Sequence, residues 1–448
     1  MRKNTRIIKL EDFSSDQLSV LGYGHFNTVH PGHIRYLKYA NELGTKLNIA
    51  MIGDRLIQGK KLYKFKQNER AESLALLGIV DNIILLPDSN LFNAIKKIDP
   101  KELVLGIEFK ENQSKSIKDS ISFMKKKERS IKFHAGEINY YSTDLLSESE
   151  VEIQNKRKLE FLNSCKRQNI KINNLSANIK SWTKSKIVVL GDTIVDQYAA
   201  CEPLGMSAEA PVIVVKELKA KSFLGGAAVV ASHIKSLGGN CELLSVVGAD
   251  DTANWVKDEI NSKGIGDCLI HDFERPTTFK KRYIVENQKL FRVSRLEDYS
   301  ISEVIEEKIL QKLEELAPNI NGIVISDFVY GVITNKILEK VRLIAKSYKI
   351  KLFGDVQCSS QVGSIIRLKN FNLLCPNERE ARISLQDKET GLELLSQKLI
   401  NIAKTDNLIM KLGPDGFIVY TKVGINKYSS QPFPSLSVNP IDVTGAGD

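Results

Sequence analysis

Short apolar runs alternate with amphipathic stretches over residues 18–146. The period-two and continuous apolar runs predict strands at 20–24, 47–52, 82–86 and 102–106, and the 3.6-residue pattern predicts helices at 32–43 and 68–77. Strand and helix in turn at these lengths imply right-handed crossovers and a parallel sheet. The pattern changes at Val151. Residues 151–166 form a charged, helix-favouring stretch, and 167–185 are rich in Asn, Lys and Ser with no period, which reads as a linker. A strand at 186–190 opens a second run of βα alternation, with buried strands at 322–325 and 351–353. The expectation is therefore an α/β chain of two units, 1–150 and 186–448, joined by a helical linker over 151–185. The two units share no repeated motif.

Composition narrows this picture. A chain of 448 residues with 42% hydrophobic and 26% charged residues has enough apolar material for a core in each unit, which excludes general disorder. Lys and Arg number 64 against 54 Asp and Glu, a net charge of +10. That surplus suits nucleic acid or phosphorylated small molecules equally. No recognition motif or interleaving of aromatic and basic residues supports nucleic acid, so no such partner is expected. The basic stretch 110–132, with Lys125, Lys126 and Lys127, reads as a solvated helix face. The six cysteines are scattered with no C-x-x-C pair, as in a reduced intracellular protein without a zinc site. Residues 1–13 reach Glu11 and Asp12 before any apolar run, and no run is long enough to span a bilayer, so a cytoplasmic protein away from membranes is expected.

Three of the six histidines fall within nine residues: His25, His30 and His33, in Gly24-His25-Phe26-Asn27-Thr28-Val29-His30-Pro31-Gly32-His33. Pro31 suits the first position of a helix, which puts His30 at the cap and His33 in the first turn, on one side of the helix mouth. Free backbone N–H groups and the helix dipole favour an anion there, and two imidazoles add donors for charge on a phosphate and a pyrophosphate leaving group. The plainer reading is a pair of surface histidines capping a helix. The segment resembles the H-x-G-H signature of the cytidylyltransferase-like nucleotidyltransferases, as do residues 34–37, 43–47 and 69–72. The resemblance implies a Rossmann-like nucleotidyltransferase domain using ATP or CTP. It makes His30 and His33 catalytic and Gly24, Phe26, Lys46, Arg70, Ser142 and Thr143 nucleotide-binding. Asn27 departs from the family's Asp, and Leu105-Gly106-Ile107-Glu108 from its Lys-containing segment.

The second unit closes on Asp442-Val443-Thr444-Gly445-Ala446-Gly447-Asp448. Gly-Ala-Gly lets backbone N–H groups approach a phosphate, and an Asp behind that cradle can accept the proton of an attacking hydroxyl. This resembles the ribokinase-like (phosphofructokinase B-type) sugar kinases. Gly191-Asp192-Thr193-Ile194-Val195-Asp196, Gly225-Gly226-Ala227-Ala228 and Asn377-Glu378-Arg379-Glu380 agree with it in the family's order. The resemblance implies a ribokinase-like α/β domain with Asp448 as catalytic base and Asp192, Asp196, Gly225 and Gly226 on the sugar. It places Asn377, Glu380, Gly445, Ala446 and Gly447 on the nucleotide, Glu380 acting indirectly on Mg²⁺, and ATP as co-substrate. Lys280 and Arg282, at i and i+2, share one face if their segment is a strand and would clamp a sugar phosphate. A solvated strand edge is the alternative. Asp192 and Asp196 also fit a turn residue and a helix cap, and Glu380 a helix-surface charge.

Residues 207–212, 275–282 and 326–332 are similar to the heptose 7-phosphate kinase branch, which in ADP-heptose synthases of lipopolysaccharide precursor synthesis is joined to a nucleotidyltransferase, kinase first. The domain order here is reversed. Val229 stands where that branch has Asn, Tyr330 where it has Lys, and Asp355-Val356-Gln357 where it has Asp-Pro-Lys. Members continue beyond the Asp that is residue 448 here, so the chain reads as a piece of a longer protein. The expected function is ATP-dependent phosphorylation of a sugar phosphate together with nucleotidyl transfer to a sugar 1-phosphate, in a homo-oligomer. The alternative is a kinase of other specificity with a degenerate nucleotide-binding or oligomerisation module.

Overall fold

The computed structural model describes residues 3–27, 29, 31–54, 65–106, 109, 114–134, 150–286, 288–358, 361–424, 427–437, 446 and 447. In the N-terminal unit the strands are β1 (Arg6–Lys9), β2 (Val20–Gly24), β3 (Leu47–Met51), β4 (Asn82–Leu85), β5 (Glu102–Gly106) and β6 (Ser130–His134). Between them run α1 (Pro31–Glu42), α2 (Gln67–Ala75), α3 (Leu91–Ile98) and α4 (Lys115–Lys126). Among the described residues the sheet has the order β1-β4-β3-β2-β5-β6, every pair parallel. The chain steps outward from β2 in one direction and then returns to its other side at β5. The strands read as continuous apolar runs because both faces are covered; Leu21, Ile49 and Leu103 are fully buried. The lysines of α4 cap its last turn.

Residues 150–181 form two helices, α5 (Glu150–Arg167) and α6 (Ile172–Ser181). The second lies within the expected helical linker, in a stretch where the sequence shows no period. α6 buries none of its residues and exposes Ile172, Leu175 and Ile179, so its apolar positions are diluted among Asn, Ser and Lys. α5 docks on the C-terminal unit through Phe161, whose ring lies 5.7 Å from that of Phe433.

Among the described residues the C-terminal unit has two sheets. Its central sheet is built on β7 (Lys186–Gly191). Next come β8 (Thr193–Met206), β9 (Ile213–Gly226), α7 (Ala227–Ser236), β10 (Asn240–Val247), α8 (Asp251–Ser262) and β11 (Gly266–His271). They are followed by β12 (Thr278–Val285), β13 (Gln288–Arg295), α9 (Glu303–Leu316), β14 (Gly322–Asp327), α10 (Asn335–Tyr348), β15 (Lys351–Val356) and β16 (Leu373–Leu374). The last elements are α11 (Glu378–Leu385), α12 (Leu392–Ala403), β17 (Asn407–Lys411), β18 (Phe417–Gly424) and β19 (Lys427–Phe433). The central sheet runs β11-β10-β7-β14-β15-β16-β17-β18-β19, parallel as far as β17 and antiparallel thereafter. The strands β13-β12-β8-β9 form a separate sheet, which the chain enters from β7 through Asp192. Parallel strands in register bring their C-terminal ends to one side: Gly191, Ser326 and Asp355 form a single row across β7, β14 and β15.

The core around Ile323, Ile325, Val341 and Leu399 is closed to solvent. Each such side chain contributes about 1.5–3 kcal/mol by leaving water. The two units meet at α1. Arg35 pairs with Asp415 at 3.0 Å, Glu42 accepts the Gly391 N–H at 2.5 Å, and Lys38 donates to the Glu389 carbonyl at 3.3 Å. Among the described residues no helix is long and apolar enough to cross a membrane.

Candidate functional site

β7 ends on Gly191, which lies so close to β14 that a Cβ there would sit 1.9 Å from the Ser326 carbonyl oxygen. The next residue, Asp192, is buried and turns its carboxylate onto the loop after β14. Oδ2 accepts the N–H of Phe328 at 2.8 Å and of Tyr330 at 3.3 Å, and Oδ1 accepts that of Val332 at 3.3 Å. Burial, and then the neighbouring charge of Asp327, push its pKa up to about 7 against the pull of the three amides. These bonds hold a loop in which Val329 and Gly331 both have positive φ. Asp192 thus positions the loop through its backbone amides.

Asp196, four residues along β8, points the other way. Its carboxylate forms an ion pair with Arg282 of β12, and the guanidinium lies over the Tyr198 ring. β8 and β12 run parallel with Asp196 opposite Lys280, so Lys280 and Arg282 do share one face of a strand. Lys280 is buried, its Nζ 4.9 Å from the centre of the Tyr330 ring and 5.6 Å from that of Phe328. Gly225 makes room for this group, since a Cβ there would lie 2.4 Å from Asp196 Oδ2. Gly226 follows with φ +59°, and the Ala227 N–H that it presents donates to the Asp192 carbonyl at 2.9 Å. The separate sheet therefore gathers one carboxylate and two cations on one face, Lys280 lying against Phe328 and Tyr330, a fit for an anionic polyol.

A second cluster lies along the same edge of the central sheet. Asp355, near the end of β15, takes the Lys411 ammonium on Oδ2 at 2.7 Å and the Gln357 amide at 2.8 Å. Its Oδ1 is buried and has no hydrogen-bond partner among the described residues. Lys411 closes β17 and also donates to the Gly447 carbonyl at 3.1 Å. Asn377 and Glu380 form a reciprocal cap on α11. The Asn side chain accepts the Glu380 N–H, Glu380 Oε2 accepts the Asn377 N–H, both at 2.8 Å, and Glu380 Oε1 takes the Cys358 N–H. Burial and the nearby charge of Asp355 raise the Glu380 pKa. Hard carboxylate oxygens, one of them unsatisfied, suit Mg²⁺. Among the described residues no set of three or more such ligands gathers, so phosphate oxygens and water would complete the shell. Ala446 is exposed; Gly445 and Asp448 lie outside the described residues.

In the N-terminal unit the structure brings together Gly24, Phe26 and His33. Gly24 ends β2, the buried Phe26 ring packs on it with φ +48°, and the His33 ring lies 4.9 Å from that of Phe26 in the first turn of α1. Arg70 is buried and donates from its guanidinium to the His25 and Ile52 carbonyls and to Asp54, so it ties the loop after β2 to the end of β3. Lys46 precedes β3 beside Val20, at the opposite edge of the sheet from Gly24. It is exposed, 3.7 Å from Asp16, and is not brought to the histidine site. His30, Ser142 and Thr143 lie outside the described residues.

Asp355 and Lys411 as one cluster escaped the sequence reading. The available signal was a charged residue closing each apolar strand at the C-terminal edge of a parallel sheet, where ligands bind in α/β folds.

Comparison with known proteins agrees with the second unit. The profile of the pfkB family carbohydrate kinases matches residues 184–448. Bifunctional protein HldE of Campylobacter jejuni (strain RM1221) is 32% identical over 271 residues, 60% of this chain and 55% of that protein. Bifunctional protein HldE of Helicobacter hepaticus is 32% identical over 274 residues, 59% and 54% respectively. The chain thus spans about half the length of the curated relatives it matches, in the kinase part. Among solved structures, phosphofructokinase-2 from Escherichia coli in complex with substrates and products aligns at 15% identity over 58% of this chain and 82% of that one, with a TM-score of 0.48. The profile covers more than half of the residues, and the chain belongs to the pfkB family of carbohydrate kinases, ATP-dependent sugar-phosphorylating transferases.

Proposed function

We propose that the C-terminal unit phosphorylates a sugar that already carries a phosphate, with heptose 7-phosphate the first candidate. One observation carries this reading. Gly191 and Asp355 stand two strands apart in one row of the parallel sheet; Gly191 leads through Asp192 into β8, which carries Asp196 beside Lys280 and Arg282, and Asp355 carries Lys411. Two strand spacings are about 10 Å, a span that a sugar phosphate and a γ-phosphoryl group fill together. Arg282 and Lys280 would receive the existing phosphate and Asp196 a hydroxyl. Asp448, next in sequence to Gly447, would take the proton of the attacking hydroxyl as its oxygen bonds to the γ-phosphorus and the bond to ADP breaks. The Gly445–Gly447 amides would face the charge on the transferred group. Asp355 and Glu380 would hold Mg²⁺, which neutralises phosphate charge when bound. The HldE relatives support the heptose assignment by name.

For the N-terminal unit we propose nucleotidyl transfer to a sugar 1-phosphate. Its support is His33 at the mouth of α1, beside the point where strand order reverses between β2 and β5, the ligand crevice of such sheets. A kinase product phosphorylated at both ends needs a phosphatase before that step.

ADP formation from ATP, Mg²⁺ and heptose 7-phosphate, with other sugar phosphates in parallel, tests the first proposal against Asp448→Asn. Activity with a different sugar alone discards the heptose assignment, and none with any sugar discards the phosphoryl-transfer reading. Pyrophosphate release from ATP or CTP with a sugar 1-phosphate, abolished in His33→Ala, tests the second.

A further inference from the structure

We propose that the kinase unit completes the N-terminal site, holding α1 from outside so that His33 is fixed for transfer, with Arg35 as the positioning residue. The inference rests on the nucleotidyl reading above and deepens it. Two stripes run along α1. Tyr36, Leu37 and Ala40 are buried in the core of their own unit. The Tyr36 hydroxyl accepts the Tyr23 N–H at 2.9 Å and donates to the Val104 carbonyl at 2.7 Å, which ties the helix to β2 and β5. Arg35, Lys38 and Glu42, at i, i+3 and i+7, form the second stripe, and all three meet the kinase unit. Gly391, the cap of α12, comes so close that a Cβ there would lie 3.1 Å from Glu42 Oε2 and 3.4 Å from Lys38 Cβ.

Arg35 is the strongest of these contacts. Its side chain is 17% exposed and that of Asp415 16%, so the pair is largely withdrawn from water and breaking it is costly. Arg35 Nη1 is buried with no hydrogen-bond partner among the described residues, so Asp415 is the group that balances its charge. The loop before α1 explains why such a hold matters. Phe26 has φ +48°, a left-handed conformation that persists only where the surroundings impose it. Next to it Asn27 is buried, and neither polar atom of its side chain has a partner among the described residues. His33 packs on the Phe26 ring at 4.9 Å, so its direction follows both this loop and the first turn of α1. Arg70 fixes the loop from the β3 side. Arg35, two residues from His33 and within the same turn, fixes the helix from the kinase side.

The test follows both activities of one protein. Pyrophosphate release from ATP or CTP with a sugar 1-phosphate, and ADP formation with heptose 7-phosphate, would be measured on the wild type, Arg35→Met and Gly391→Leu, the last a wedge driven into the seam from the kinase side. Release of α1 predicts that kcat for pyrophosphate release falls by about 10- to 100-fold in both variants, with the KM for the nucleotide within about twofold and ADP formation kept. Arg35→Asp should lose as much, and the exchanged pair Arg35→Asp/Asp415→Arg should recover part of it. Amide hydrogen exchange over α1 should quicken about tenfold in Arg35→Met, a readout that needs no substrate. Unchanged pyrophosphate kinetics in both variants, or an equal loss of both activities, would overturn the proposal and leave the seam a matter of stability alone. A wild type that releases no pyrophosphate would count against the nucleotidyl reading; the exchange over α1 would then decide the positioning role by itself, unchanged protection being fatal to it.

Discussion

Replacing Gly225 by alanine tests whether Asp196 belongs to the sugar site. The glycine lies outside the left-handed region, so its backbone accepts an alanine, and the whole effect arises from the added methyl group. That carbon would sit 2.4 Å from Asp196 Oδ2, 3.3 Å from its Cγ and 3.4 Å from Ile194 Cβ. Only the first is a collision, and it is with the end of a side chain that can swing away. Ordinary contact needs a retreat of about 1 Å, which pulls the carboxylate off Arg282 and out of line with a bound hydroxyl; a misplacement of that size costs about 100-fold in rate, near 2.7 kcal/mol of barrier. Overpacking adds a stability loss of about 1–3 kcal/mol, small enough for the protein to stay folded. Coupled ADP-release kinetics should therefore show kcat/KM for the sugar phosphate down about 100-fold, with the KM for ATP within about twofold of wild type. Gly226→Ala is the contrasting case. With φ +59° and a Cβ 2.1 Å from the Asp192 carbonyl oxygen, it meets backbone on unfavourable φ and should unfold the sheet junction. A folded Gly225→Ala protein with unaltered sugar kinetics would refute the placement of Asp196 at the substrate.

Three further outcomes follow from groups outside the phosphoryl cluster. Glu393 is buried beside the Tyr420 hydroxyl, and burial lifts its pKa from 4.5 to about 7. Between those values the native state keeps a proton that the unfolded chain has lost, so stability should fall as pH rises from about 4.5 to 7, by up to about 3 kcal/mol, and urea titrations of Glu393→Gln should lack that slope. Asp192→Asn leaves one acceptor oxygen for three amides, and chemical denaturation should register a loss of about 2–3 kcal/mol with a raised KM for the sugar as the Phe328–Tyr330 loop loosens. Asp415→Ala strands the largely buried Arg35 at the seam between the units, and a loss of about 1–3 kcal/mol should appear in thermal melts with faster proteolysis near residues 413–416.

The parallel strands could be read from the sequence because burial on both faces leaves unbroken apolar runs; β2 and β5 occupy the residues expected for them. The separate four-stranded sheet could not. β8 and β9 span 14 residues each, and much of both is exposed or half-exposed, so neither period two nor an apolar run marks them. A sheet that gathers Asp196, Lys280 and Arg282 on one face and meets water elsewhere has no uniform pattern to show. Residue type in a motif likewise did not reveal direction. Arg70 and Lys46 both sit in familiar segments, yet the fold turns the first inward onto carbonyls and leaves the second at the far edge of the sheet. Glu380 is buried where the alternative reading put a helix-surface charge, because the reciprocal cap with Asn377 that starts α11 holds its carboxylate near Asp355. Lys411 escaped for a related reason. A lysine ending a strand reads as solvated until a carboxylate from a strand 56 residues away is placed against it, and that pairing is a product of the parallel order of β15, β16 and β17. Where function depends on what a neighbouring strand contributes, local pattern identifies the strand and the topology supplies the partner.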